Sequence, residues 1–119
     1  MAAVCTWRAV AWLVRDGEVL AALELAEGHR ARLKGLLGRD GVEGALLLKG
    51  RSVHTVGMRF PIDVAFCDAD LRVVAIVCPM YRHRVGAPRR RARMVIEAEA
   101  GAFERWRLRP GDQLEIKGR

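Results

Sequence analysis

His54, Asp63 and Cys67 fall within one largely apolar stretch, Ser52 to Asp70. These are the side-chain types that transfer protons, hold polar ligands or act as nucleophiles. His54 and Asp63 within hydrogen-bond reach would make an oriented acid–base pair. Asp63 alone, flanked by Ile62 and Val64, must be hydrogen-bonded or paired if it is buried, because an isolated buried carboxylate is costly. Arg39 and Arg59 are the available guanidinium partners, and an Asp63–Arg39 clamp is the structural reading. The ligand-site reading groups Arg39, His54, Met58, Pro61 and Asp63 around a polar pocket in apolar surroundings, the usual build of a binding site.

Other chemistries lack their signatures. His54, Asp63, Asp68 and His83 are oxygen and nitrogen donors, yet their spacing matches no known metal site, so no metal and no cofactor are expected. There is no nucleophile elbow, phosphate-cradling glycine loop or dinucleotide fingerprint. Cys5, Cys67 and Cys78 are odd in number and lack C-x-x-C spacing, which opposes both a disulfide framework and a zinc ribbon. In apolar runs Cys67 and Cys78 act as small hydrophobes, and Cys67 reads as a buried, inert thiol. Arg89, Arg90, Arg91 and Arg93, close to Tyr81, form a basic loop that offers phosphate contacts to nucleic acid or another polyanion.

The elements that must position these groups follow from periodicity. Thr6 to Val14 and Glu18 to Leu25 read as strands around Asp16-Gly17, a strong hairpin signal. Glu27 to Leu37 switches to helical spacing and ends at Gly38. Gly44 to Lys49 and Ser52 to Met58 are apolar runs, and Pro61 marks a bend or edge. From Ile62 the period is two, with Ile62, Val64 and Phe66 on one face and Asp63, Ala65 and Cys67 on the other. Asp68-Ala69-Asp70 is turn chemistry, and Arg72 to Cys78 returns as a partner strand whose continuous apolar run suggests burial on both faces. Met94 to Ala98 is a strand. Gly101 to Leu108 is a short helix with Phe103, Trp106 and Leu108 inward, and Gln113 to Ile116 is a last strand.

Three blocks carry a family resemblance: R-L-K-G-L-L-G-R from Arg32, M-R-F-P-I-D-V-A-F-C-D from Met58, and E-A-E-A-G-A-F-E-R-W-R-L-R-P-G-D from Glu97. Together, over about Leu25 to Ile116, the chain resembles the bacterial and archaeal family called domain of unknown function 192. The resemblance implies a compact α+β domain, a small antiparallel, partly closed, barrel-like sheet with two or three short helices. It implies no catalytic mechanism. Where common members carry a Trp-Met-Lys-Asn-Thr type segment, this chain has His54 to Met58.

The 119 residues, about half of them hydrophobic, suit one globular domain, a family-like core preceded by a hairpin over residues 6–25. The formal charge of +7 speaks to solubility and general attraction to anions. No run of about 18 apolar residues occurs, and no signal-type leader is expected from the opening residues. The expectation is a cytoplasmic monomer that binds a small ligand or a protein partner without catalysis. The alternatives are acid–base enzymology through His54 and Asp63, and polyanion binding through the arginine loop.

Overall fold

A computed structural model describes residues 11–25, 44–50, 61–80 and 90–118, excepting the side chains of residues 79 and 80. The helix expected over Glu27–Leu37 and the strand over Ser52–Met58 lie outside these residues. The described elements are β1 (Ala11–Arg15), β2 (Glu18–Leu25), β3 (Ala45–Lys49), β4 (Ile62–Cys67), β5 (Val73–Met80), β6 (Met94–Glu99), α1 (Ala102–Trp106) and β7 (Glu115–Gly118). The strands form one seven-stranded sheet in the order β5-β4-β6-β3-β2-β1-β7.

Local chemistry explains the connections. Asp16 and Gly17 both hold positive φ, 51° and 80°, so the β1–β2 loop is the two-residue turn whose twist matches antiparallel strands. At the β4–β5 turn, Asp68 Oδ1 accepts from the N–H groups of Asp70 and Arg72, each at 2.9 Å. That side-chain bonding replaces backbone partners and lets Leu71 take φ 67°.

The expected α+β architecture is corrected. The sheet is open rather than barrel-like, and among the described residues only one helix, α1, accompanies it. Nor is the sheet purely antiparallel, since β2 and β3 run parallel. A parallel pair needs a long connection rather than a tight turn, and about twenty positions separate Leu25 from Ala45. The edges β5 and β7 meet at one corner, through an isolated Arg72–Gln113 bridge. Around it Val73 N–H donates to Asp112 O at 2.9 Å and Gly111 N–H to Val73 O at 2.7 Å.

The period of two in β4 sorts the core into two clusters. Ala65 and Cys67 join Ile96, Leu47, Leu13 and Leu23 on the face that receives Phe103 of α1. Ile62, Val64 and Phe66 join Leu46, Leu48 and Val95 in the other cluster. Pairing keeps the sides consistent, since Ala65 stands opposite both Ile96 and Ile76. Every residue of β4 is buried, because β5 and β6 flank it. β5 departs from the doubly buried strand expected from its apolar run. Among the described strands it stands at one edge of the sheet, half-buried over much of its length and exposed at Cys78. Pro79 suits that place, since it has no N–H to give an outer neighbour.

Gly44, at φ 79°, enters β3 so close to β2 that a Cβ there would stand 2.5 Å from Ala22 O. Gly17, at φ 80°, faces no atom within 4 Å. Gly44→Ala should therefore cost at least about 2 kcal/mol, more than the roughly 1 kcal/mol of left-handed backbone expected for Gly17→Ala. Urea unfolding of both variants checks this ordering; equal losses would mean that β2 and β3 yield at the contact.

Candidate functional site

Asp63 is buried, at 1% exposure, on the β4 face that meets α1. Its Oδ2 accepts from the backbone N–H of Gly101 and of Phe103, each at 3.0 Å. A helix start leaves such amides without intrahelical partners. Gly101, the N-cap residue at φ 97°, has no side chain to satisfy them. A carboxylate from a distant strand does so instead, and its charge also matches the positive end of the helix dipole. Asp63 Oδ1 is buried and finds no hydrogen-bond partner among the described residues.

The other end of α1 is held by β1. Arg15 Nη2 donates to Trp106 O at 2.6 Å, and Nη1 donates to Arg107 O at 3.2 Å. Nη1 also pairs with Asp112 Oδ2 at 3.1 Å, and the same oxygen accepts from Arg109 N–H at 2.9 Å. Leu108 N–H returns to Phe103 O at 2.9 Å and Arg107 N–H to Glu104 O at 3.1 Å. This is a Schellman ending with Arg107, at φ 54°, where glycine is the usual residue. An arginine there costs about 1–2 kcal/mol of backbone strain.

These restraints shape a groove of about 640 Å³, open to solvent and lined by Cys78, Phe103, Glu104, Arg107, Leu108 and Arg109. Phe103 and Leu108 supply buried apolar surface, and Phe103 stacks in a tilted arrangement on Trp106 at 5.5 Å between ring centroids. Glu104, Arg107 and Arg109 are exposed. The β4–β5 register slips between Ile62 and Val64, which stand opposite Met80 and Val77, so Cys78 lies near the level of Asp63. Partial burial, then the negative charges of Asp63 and Glu104, raise the Cys78 thiol above its ordinary pKa. Cys67 is fully enclosed, and burial, then Asp68, push its thiol up to about 12. Neither cysteine is an activated thiolate.

Of the residues expected to form a ligand pocket, Asp63 and Pro61 are described. Pro61 is half-buried just before β4. Arg39, His54 and Met58 lie outside the described residues, as do the expected His54–Asp63 pair and Asp63–Arg39 clamp. Of the arginine loop, Arg89 also lies outside, while Arg90, Arg91 and Arg93 are exposed. Arg93 Nη1 is engaged by Arg90 O at 3.1 Å and Ala92 O at 2.9 Å. Among the described residues no group of three His, Cys, Asp or Glu side chains could hold a metal ion. No helix among them is long and apolar enough to cross a membrane. Sequence reasoning missed the groove. Its available signal was Arg107-Leu108-Arg109, an alternation that turns both arginines away from the buried leucine.

Residues 11–116 match the family model DUF192, described as an uncharacterised ACR. No curated protein matches the chain. Two crystal structures share the fold. A protein of unknown function from Novosphingobium aromaticivorans aligns with TM-score 0.74 and 21% identity, over 89% of this chain and 83% of its own. A protein from Sinorhizobium meliloti, provisionally described as a transcription regulator, aligns with TM-score 0.75 and 24% identity, over 89% of this chain and 91% of its own.

Asp63→Ala leaves the Gly101 and Phe103 amides without an acceptor and should cost about 3 kcal/mol. Asp63→Asn keeps an acceptor oxygen and should cost about 1 kcal/mol, mostly lost charge–dipole attraction. Denaturant unfolding distinguishes them; an alanine variant as stable as the parent would refute the cap.

The Cys67 thiol gives a second expectation. Below about pH 9 it is protonated in both folded and unfolded chains, so its contribution is fully present. As pH rises above 9 the unfolded thiol ionises while the folded one, at about 12, does not, so stability is lost by about 1.4 kcal/mol per unit until 12. The stability gap between parent and Cys67→Ala should therefore move by about 2 kcal/mol, against the parent, between pH 9 and about pH 10.5. A gap independent of pH would mean that the native thiol titrates normally.

Proposed function

The chain belongs to the domain of unknown function 192 family, and within it we propose that this protein is a non-enzymatic binding or accessory protein for a small ligand. The observation that carries the reading is the solvent-open groove beside α1, where an apolar floor meets exposed ionic groups without ion-pair partners among the described residues. Its volume of about 640 Å³ falls within the range of small-molecule sites. Of the titratable groups in the central stretch, the two described ones, Asp63 and Cys67, support binding over chemistry. The Asp63 carboxylate is shut from solvent and spends one oxygen on two amides, and the Cys67 thiol is buried and protonated.

Asp63 enters this reading as the anchor that holds α1 against β4, and so as the support of the groove wall. Arg39, His54, Met58 and Pro61 are proposed as further contributors, to be read by alanine substitution against the same ligand. Exposed Arg90 and Arg91 support a second reading, binding of a polyanion. The Sinorhizobium protein's description as a transcription regulator points the same way only for that protein.

One screen tests both readings. Thermal unfolding is followed against small metabolite-like molecules and against oligonucleotides. A bound ligand at one hundred times its dissociation constant adds about 2.7 kcal/mol if it binds the folded state alone. The expected result is a shift from a small molecule, abolished by Glu104→Trp, which fills the groove from an exposed helix position. A shift from oligonucleotides only, lost on neutralising Arg90 and Arg91, would transfer the function to the arginine turn. No shift from any compound would overturn both.

A further inference from the structure

The groove is polarised by charge along α1. The helix leaves Gly101, whose N–H is held by Asp63, and ends at Trp106, whose carbonyl is held by Arg15. Cys78 and Glu104 belong to the first end, and the thiol senses the negative charges of Asp63 and Glu104 together. Arg107 and Arg109 belong to the second. Phe103 and Leu108, both buried, lie between them as apolar surface.

The arginines are fixed at the backbone, while among the described residues their side chains make no ion pair. Arg15 holds the Arg107 carbonyl, and Asp112 both accepts from Arg109 N–H and donates its own N–H to Arg109 O at 3.1 Å. The nearby acidic groups are engaged elsewhere, Asp112 with Arg15 and Glu99 with Arg105 at 2.6 Å. Among the described residues neither Arg107 nor Arg109 has an ion-pair partner, and neither does Glu104. The left-handed backbone at position 107 would suit glycine better, yet an arginine is present and lines the groove.

We infer that the groove takes a zwitterionic ligand, with a carboxylate at Arg107 and Arg109, a protonated amine at Glu104, and a short apolar chain against Phe103 and Leu108. This deepens, and rests on, the small-ligand reading. Guanidinium forks match carboxylate oxygens in geometry and charge. Glu104 would repel a simple anion or a polyanion at the same place, whereas it pairs with an ammonium. Glu104 lies on α1 and Arg107 is its left-handed C-cap, three residues on. A ligand with an amine and a carboxylate at the two ends of a short apolar chain, such as 6-aminohexanoate, is the probe for this arrangement.

The test is isothermal titration of the full chain with 6-aminohexanoate and with its single-headed counterparts, hexanoate and hexylamine. Each charged contact is a charge-assisted hydrogen bond, so 6-aminohexanoate should bind at least about tenfold more tightly than either counterpart. Arg107→Gln with Arg109→Gln should erase the advantage over hexylamine, and Glu104→Gln the advantage over hexanoate. Arg107→Gly relieves the left-handed strain while removing the guanidinium, so a loss of carboxylate preference there cannot come from unfolding. Equal binding of 6-aminohexanoate and hexanoate, or selectivity unchanged in the variants, would overturn the zwitterion assignment. If 6-aminohexanoate fails while another small molecule gives a shift abolished by Glu104→Trp, the assignment falls and the binding reading stands. Failure of every compound in both experiments removes the two together.

Discussion

The bond pair from Asp63 to the first amides of α1 is the constraint on which the rest of the site depends. A five-residue helix has no stability of its own, because nucleation costs more than so few hydrogen bonds return. It persists here because a buried carboxylate on a central strand satisfies its N-terminus and a guanidinium on β1 holds its last carbonyls. Both charges have the sign that the helix dipole favours. The buried ring of Phe103 adds about 1.5–3 kcal/mol of hydrophobic burial between the two anchors.

This arrangement ties the groove to the register of the sheet. Asp63 reaches the helix because β4 alternates, placing residues 63, 65 and 67 on one side and 62, 64 and 66 on the other. A slip of one residue would turn Asp63 toward Leu46, Leu48 and Val95, with no amides to receive it, and would move Val64 and Phe66 to the other face. The pairing of Asp63 with Ala98 on β6 matters for the same reason. A small residue opposite the carboxylate leaves room for the entry to α1, which begins just beyond β6.

The parts of the fold that were legible in the sequence are those encoded by neighbours. Asp16-Gly17 specifies its turn through two positive φ angles, and Ile62 to Cys67 specifies its faces through a period of two. The partner of Asp63 was not legible, because backbone amides carry no side-chain signature and lie far along the chain. Among the described residues the Gly101 and Phe103 amides donate to Oδ2 of this carboxylate, and the Arg39 clamp read from the sequence lies outside them. The parallel β2–β3 pair and the edge position of β5 were hidden for a related reason. Both are set by strand order, and an apolar run such as Val73 to Val77 reads the same at an edge as in the middle of a sheet.

Edge position also explains why the groove forms where it does. An edge strand leaves one side without a neighbouring strand, and open edges invite unwanted pairing unless they are interrupted or covered. β5 is interrupted near its end by Pro79 and by the register slip beside it, and its start is tied to the chain before β7. Cys78 sits at that interruption, where one wall of the sheet stops and α1 provides the other. Thus the features that make β5 a poor template for another strand also leave space beside α1. Of the ionic groups that line this space Glu104 stands on α1 and Arg107 and Arg109 on the chain that leaves it, and that chain is itself fixed by Arg15 of β1 and by Asp112.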